Sequence, residues 1–239
     1  RWLQGRQLEV FETDDTPVLT DQELQVTPQG QVLSLKNERS LFDLFTNYEQ
    51  QLAENRPPLT RKLIRQVTGI RNLKDLPDPG IRLLDSKESS ISPQRLIIIP
   101  EPGISLPALY WPDGKATPVL MAPSSGMNSS LKTAQQLNAQ GHPVLVVEVR
   151  DTGETKTRTW RFPGADYYIA HMLGRCWLAM QAEDLLISTR WLQSQNKDKP
   201  VELQTEGELG PAALHAATLE PALISELKLK ESLNSWHEL

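Results

Sequence analysis

The run Pro143-Val144-Leu145-Val146-Val147-Glu148-Val149 constrains the fold more than any other part of this 239-residue chain. Its apolar side chains stand at adjacent positions instead of alternating, so a strand made from it has to be covered on both faces. Cover on both faces means helices on both sides, and parallel neighbours reached through crossover connections. The flanking sequence supplies both. Pro118–Ala122 reads as a short buried strand, and a helix from about Ser130 to Ala139 stops at Gly141. Further strands are expected at 201–204 and 223–229, with one long helix or a helix pair over 165–195 and an Ala-rich helix over 211–218. This alternation predicts a doubly wound, mostly parallel α/β sheet. Arg95–Pro100 and Ile104–Trp111 bracket Glu101-Pro102-Gly103 and add an antiparallel hairpin at one edge.

The N-terminal part has a different character. Residues 1–38 show little periodicity and read as a linker or the end of a preceding domain, with a small hairpin over Leu24–Ser34 around Pro28-Gly30. Residues 39–90 read as a helical lead-in. Ser40 caps a helix whose Leu41, Leu44, Phe45, Tyr48 and Leu52 share one face, and Thr60 caps a second that ends at Gly69. Pro77, Pro79 and Gly80 mark a loop, and residues 91–239 form the α/β region. Both ends of the chain look cut, which implies an interior piece of a longer protein with the C-terminal part of the α/β region missing.

Composition excludes several classes. Hydrophobic residues make up 38% and charged residues 23%, with a formal net charge of −5. No basic block faces an aromatic run, so no nucleic-acid surface is expected. No apolar run approaches the length of a membrane span. The single cysteine, Cys176, rules out an internal disulfide and a Cys-rich zinc site, and beside Leu173, Trp177 and Met180 it reads as a buried helix residue. No His pair has metal-ligand spacing.

Val201–Ala217 carries the functional signal. It reads as a strand, a tight turn and a helix of small residues, the outline of the turn that presents an attacking serine in a G-x-S-x-G-G pattern. Aligned on the small residues, Gly207 takes the place of the serine, Thr205 and Leu209 fall on the two pattern glycines, and Gly210 matches the glycine that opens the helix. The outline persists without its nucleophile.

The order of landmarks resembles the α/β-hydrolases of the dienelactone-hydrolase and acetyl xylan esterase type. Val144–Thr155 is similar to the strand and loop written V-x-x-x-D-x-R-G-x-G-x-S. Asp184 with Trp191-Leu192 is similar to the D-x6-W-L helix that precedes the elbow strand. More narrowly, Gly207–Ala217 and Val26-Thr27-Pro28-Gln29-Gly30-Gln31-Val32 resemble the second, degenerate hydrolase-like domain of large bacterial proteins of the acetyl xylan esterase group, and the linker before it. The resemblance implies carbohydrate-ester hydrolysis as the family chemistry and no cofactor. It also implies a neighbouring hydrolase domain of the same polypeptide as partner. Either compartment, exported or cytoplasmic, fits, with the balance toward export.

Attack on an ester needs a nucleophile, a base beside it and an acid orienting the base. The hydrolase acid and His follow the elbow, where this chain has one strand. His215 lies on the helix behind the turn, and His237 is close to the chain end. The expected reading is therefore a non-catalytic, esterase-like domain. Two alternatives stand beside it: an active esterase completed by residues beyond the chain, and a carbohydrate-binding or scaffold module. Glu208 follows the nucleophile position and reads as a helix-start carboxylate or, less plainly, a substitute nucleophile. Ser124, Ser125 and Gly126 form the candidate oxyanion loop. Trp160, Tyr167 and Tyr168 are the candidate ligand platform. Glu148 and Asp184 read as structural carboxylates or an acid pair.

Overall fold

The computed structural model describes residue 5 and residues 17–84, 93–156 and 165–233, and the chain divides into two compact units, 1–58 and 59–239. In the first unit helix α1 (Leu41–Glu54) starts at Ser40. The Ser40 hydroxyl accepts from the Asp43 N–H at 3.1 Å, and the Asp43 carboxylate accepts from the Ser40 N–H at 2.7 Å. This reciprocal cap satisfies two N–H groups that the helix leaves free. The Ser40 hydroxyl and amide together hold the Asp43 carboxyl below its usual range. The hairpin expected over 24–34 does not form; turns run to Gly30 and Val32–Ser34 makes one 3-10 turn. Glu23 accepts from both the N–H and the hydroxyl of Thr20, and such local bonds compete with a strand ladder that Pro28 cannot support.

The second unit begins with α2 (Arg61–Thr68), capped by the Thr60 hydroxyl and closed by Gly69 at φ +75°. There follow β1 (Gly80–Leu83), β2 (Gln94–Ile99), β3 (Leu106–Trp111), β4 (Val119–Ala122), α3 (Leu131–Ala139), β5 (Val144–Val147), α4 (Ala165–Met172), α5 (Trp177–Gln195), β6 (Val201–Glu206), α6 (Gly210–Leu219) and β7 (Ile224–Lys230). They build a seven-stranded sheet ordered β1-β2-β3-β5-β4-β6-β7. Strands β5, β4, β6 and β7 are parallel neighbours, while β1 to β3 pair antiparallel and β3 joins β5 antiparallel. The sheet is mostly parallel and wound on both faces, as the alternation predicts.

Strand β5 is buried at all four positions, and its side chains divide between two cores. Leu145 and Val147 face α5 and α6 with Leu120, Leu203 and Leu185, whereas Val144 and Val146 face α3 with Trp111, Val119 and Met121. Ala212, Ala213 and Ala216 are fully buried in the first of these cores, which lets α6 lie close.

The loop marked by Pro77 and Pro79 runs into an edge strand, Gly80–Leu83, whose residues are all exposed, so the hydrophobic pattern carries no burial signal there. The stretch 165–195 takes the second of its two expected forms, a pair of helices broken at Gly174, where φ is +70°. Cys176 stands at that break and is exposed, not buried in a helix. Strand β7 is the other edge, and it carries charged side chains beside the exposed Leu229. Lys228 meets Glu202 at 2.6 Å and Lys230 meets Glu206 at 3.8 Å. Lysines on an edge strand also discourage pairing with another strand.

A chain of ion pairs joins the loop after β5 to α5 and to the β2–β3 turn. Asp184, fully buried on α5, accepts from the Nε of Arg150 at 2.8 Å, its Nη2 at 2.7 Å and its backbone N–H at 3.1 Å. Arg150 also reaches Glu101 at 3.1 Å, Arg71 bridges Glu101 and Glu183 at 3.7 and 2.6 Å, and Arg175 meets Glu183 at 3.0 Å. Burial pushes the Asp184 carboxyl up, against the pull of Arg150. Burial works against the charge of Arg150 too, but its bonds to Asp184 raise it above the ordinary arginine range. Removing one partner leaves the other charge buried without compensation. Arg150→Met is therefore expected to cost about 3–5 kcal/mol in urea unfolding, with most of it recovered when Asp184→Leu is added. A loss below about 1 kcal/mol for the single variant would contradict this role for the pair.

Candidate functional site

Three loops meet at the carboxyl ends of β4, β5 and β6: residues 123–130, 148–156 and 207–210. This is the edge at which open α/β sheets bind ligands. The turn after β6 keeps an unusual backbone. Gly207 has φ +61°, a region that costs a residue with a side chain about 1–3 kcal/mol. A Cβ at Gly207 would stand 2.6 Å from the Oγ of Ser124, so a hydroxyl from the β4 loop occupies the space a side chain at the turn would take. The residues on the two pattern-glycine positions fill space. Leu209 packs in the core, and Thr205 is buried with no hydrogen-bond partner for its hydroxyl. Gly210 lies against Ser232, whose Oγ would be 1.5 Å from a Cβ there, so this position admits no side chain without movement.

The β4 loop is tied down on both sides. The Ser125 hydroxyl donates to Glu206 at 2.7 Å, and the Ser129 hydroxyl reaches the same oxygen at 3.4 Å. Glu148, buried at the end of β5, accepts from the N–H groups of Met127 at 2.8 Å and Glu154 at 2.7 Å. These bonds consume donors. The Gly126 N–H turns back to the Pro123 carbonyl at 3.4 Å, so in the stretch Ser124–Met127 the amides of Gly126 and Met127 are engaged within the protein. Asp151 takes φ +64° where the family pattern has glycine, a conformation that Asp tolerates better than most residues.

Ser124, Ser125 and Gly207 are thus brought together, and Glu208 is exposed on the outer side of the turn. Glu148 and Asp184 do not form an acid pair, since Glu148 holds two loop amides and Asp184 holds Arg150. His142 bonds the Thr117 carbonyl, before β4 and therefore at the far end of the sheet. His215 turns onto the Pro211 carbonyl of its own helix at 2.7 Å, and His171 is exposed at the end of α4. Tyr167 and Tyr168 are exposed on α4, and Tyr167 lies 5.4 Å from Trp177, ring centre to ring centre. Trp160 and His237 lie outside the described residues. Glu206 was not evident in the sequence as a site residue, because the position before the nucleophile is unrestricted in the pattern. Among the described residues no group of three or more His, Cys, Asp or Glu could hold a metal ion, and no helix is long and apolar enough to cross a membrane.

No protein-family model matches the chain, and no curated protein matches its sequence. Solved structures do match its backbone. A protein from Bacteroides fragilis, proposed to be an acetyl xylan esterase, superposes with a TM-score of 0.55 at 13% identity, over 81% of this chain and 61% of its own. Acetyl xylan esterase 1 from Thermoanaerobacterium gives 0.51 at 19% identity, over 73% and 60%. The chain therefore spans about three fifths of the length of these structures. With the strand order above, they show an α/β-hydrolase-like fold.

The crowding at the turn can be measured. Gly207→Ala is expected to lower stability by about 1–3 kcal/mol in urea unfolding. In a Ser124→Ala background the cost should fall by at least about 0.5 kcal/mol, because the two positions share one space. Equal costs in both backgrounds would separate Ser124 from the turn.

Proposed function

We propose that this chain is a non-catalytic, esterase-like module that acts beside a hydrolase domain of the same polypeptide. One observation carries the reading: the residue at the apex of the turn, Gly207, has no side chain to form an acyl-enzyme. A second supports it, since His142 and His215 are committed to the backbone carbonyls of Thr117 and Pro211. Ester hydrolysis through a covalent intermediate needs both a nucleophile and its base. Glu208 is a poor substitute, because an exposed carboxylate at a helix start is well solvated and weakly nucleophilic. The matched esterases are named for acetyl xylan, so the neighbouring domain is proposed to hydrolyse carbohydrate esters. Exposed Tyr167 and Tyr168 would extend its carbohydrate-facing surface.

The Ser124 hydroxyl motivates one rival. It stands where the elbow side chain would be, so an unorthodox esterase could attack through it. An assay separates the two readings. The 239-residue chain is expected to hydrolyse p-nitrophenyl acetate and acetylated xylan no faster than buffer, and Gly207→Ser alone to restore nothing. Saturable turnover abolished by Ser124→Ala or by Glu208→Gln would overturn the non-catalytic reading.

A further inference from the structure

A cavity of about 730 Å³ lies between the β2–β3 turn, the loop after β5, α4 and the start of α5. Ser124, Ser125, Gly207 and Glu208 do not line it, so it is separate from the turn described above. Its floor is made by Leu106, Ala170 and Met180, all buried, and its walls include Ile169 and Trp177. A volume of this size suits a small organic molecule, and an apolar lining with few polar groups is typical of such sites.

The charges around it are unbalanced. Two arginines line the cavity, but both are committed: Arg150 to Asp184 and Glu101, Arg175 to Glu183. Glu154 and Asp166 also line it and have no cationic partner among the described residues. The same imbalance is felt at Tyr167, whose phenol is pushed up by burial and by the charges of Asp151, Glu208 and Asp166. Among the described lining residues, an anion would meet these carboxylates and no uncommitted cation. A cation would meet those carboxylates and the indole ring of Trp177, which attracts positive charge.

We propose that this cavity binds a small organic cation, an ammonium or amidinium group carried on an apolar body. Binding does not depend on the catalytic status of the turn. The test is calorimetric titration of the full chain with three probes of similar shape: 2-phenylethylammonium, 2-phenylethanol and 3-phenylpropionate. The cation should bind saturably and at least about tenfold more tightly than the alcohol or the carboxylate. Glu154→Gln with Asp166→Asn, both at accessible positions, should weaken the cation about five- to tenfold and leave the alcohol unchanged. Ile169→Trp, which fills the cavity, should abolish binding while the circular dichroism spectrum stays unchanged. The proposal is overturned by equal affinity for cation and alcohol, by tighter binding of the carboxylate, or by no saturation at about 10 mM cation. Cation affinity unchanged by the double charge variant would overturn it equally.

Discussion

Arg150 and Asp184 meet where three parts of the fold would otherwise separate: the loop leaving the central strand, the long helix behind the sheet, and the β2–β3 turn. Neither charge could remain buried alone, since the desolvation of a single ion costs several kcal/mol even after relaxation. Together they satisfy one another through two guanidinium bonds and a backbone N–H. Extension of the chain through Glu101, Arg71, Glu183 and Arg175 alternates sign at every step, so the network adds no net charge to the interior. The loop carrying Glu148 is aligned by this anchor, and Glu148 in turn holds the amides of Met127 and Glu154. Two of the three loops at the carboxyl edge are thus joined through Glu148, two residues before Arg150.

The turn after β6 joins a left-handed glycine to a helix of small residues. Its backbone keeps the left-handed conformation at Gly207, and the helix behind it keeps the small residues that allow close packing. What fills the site is different. Ser124 enters the space at the apex, Leu209 packs into the core, and the Ser125 hydroxyl is turned onto Glu206. Each of these is an internal contact. Thr205 is the exception, a buried hydroxyl without a protein partner.

Much of the fold was legible because its signals are local. Two-sided burial of Val144–Val147 is written in consecutive apolar residues, and Ser40 and Thr60 announce their helices through capping bonds three residues long. Signals that depend on distant partners were less readable. Arg150 and Asp184 each matched a family pattern, but 34 residues separate them and nothing in either segment names the other. Edge strand β1 has no buried residue to mark it, and Cys176 lies at a break that only Gly174 hints at. At the candidate site the strand, turn and helix over 201–219 were legible, while the commitments of Ser125, Gly126 and Glu148 emerged only once the loops were placed side by side.

The central claim is that the hydrolase-like edge of this chain carries no activated nucleophile. A fluorophosphonate reacts covalently with an activated serine and leaves a phosphonyl group on its oxygen, which intact-protein mass spectrometry followed by peptide mapping detects without any assumption about the substrate. The account predicts an unmodified mass after prolonged incubation with excess reagent. A stoichiometric adduct mapping to Ser124, or to any other residue of the loops at the carboxyl edge, would contradict it.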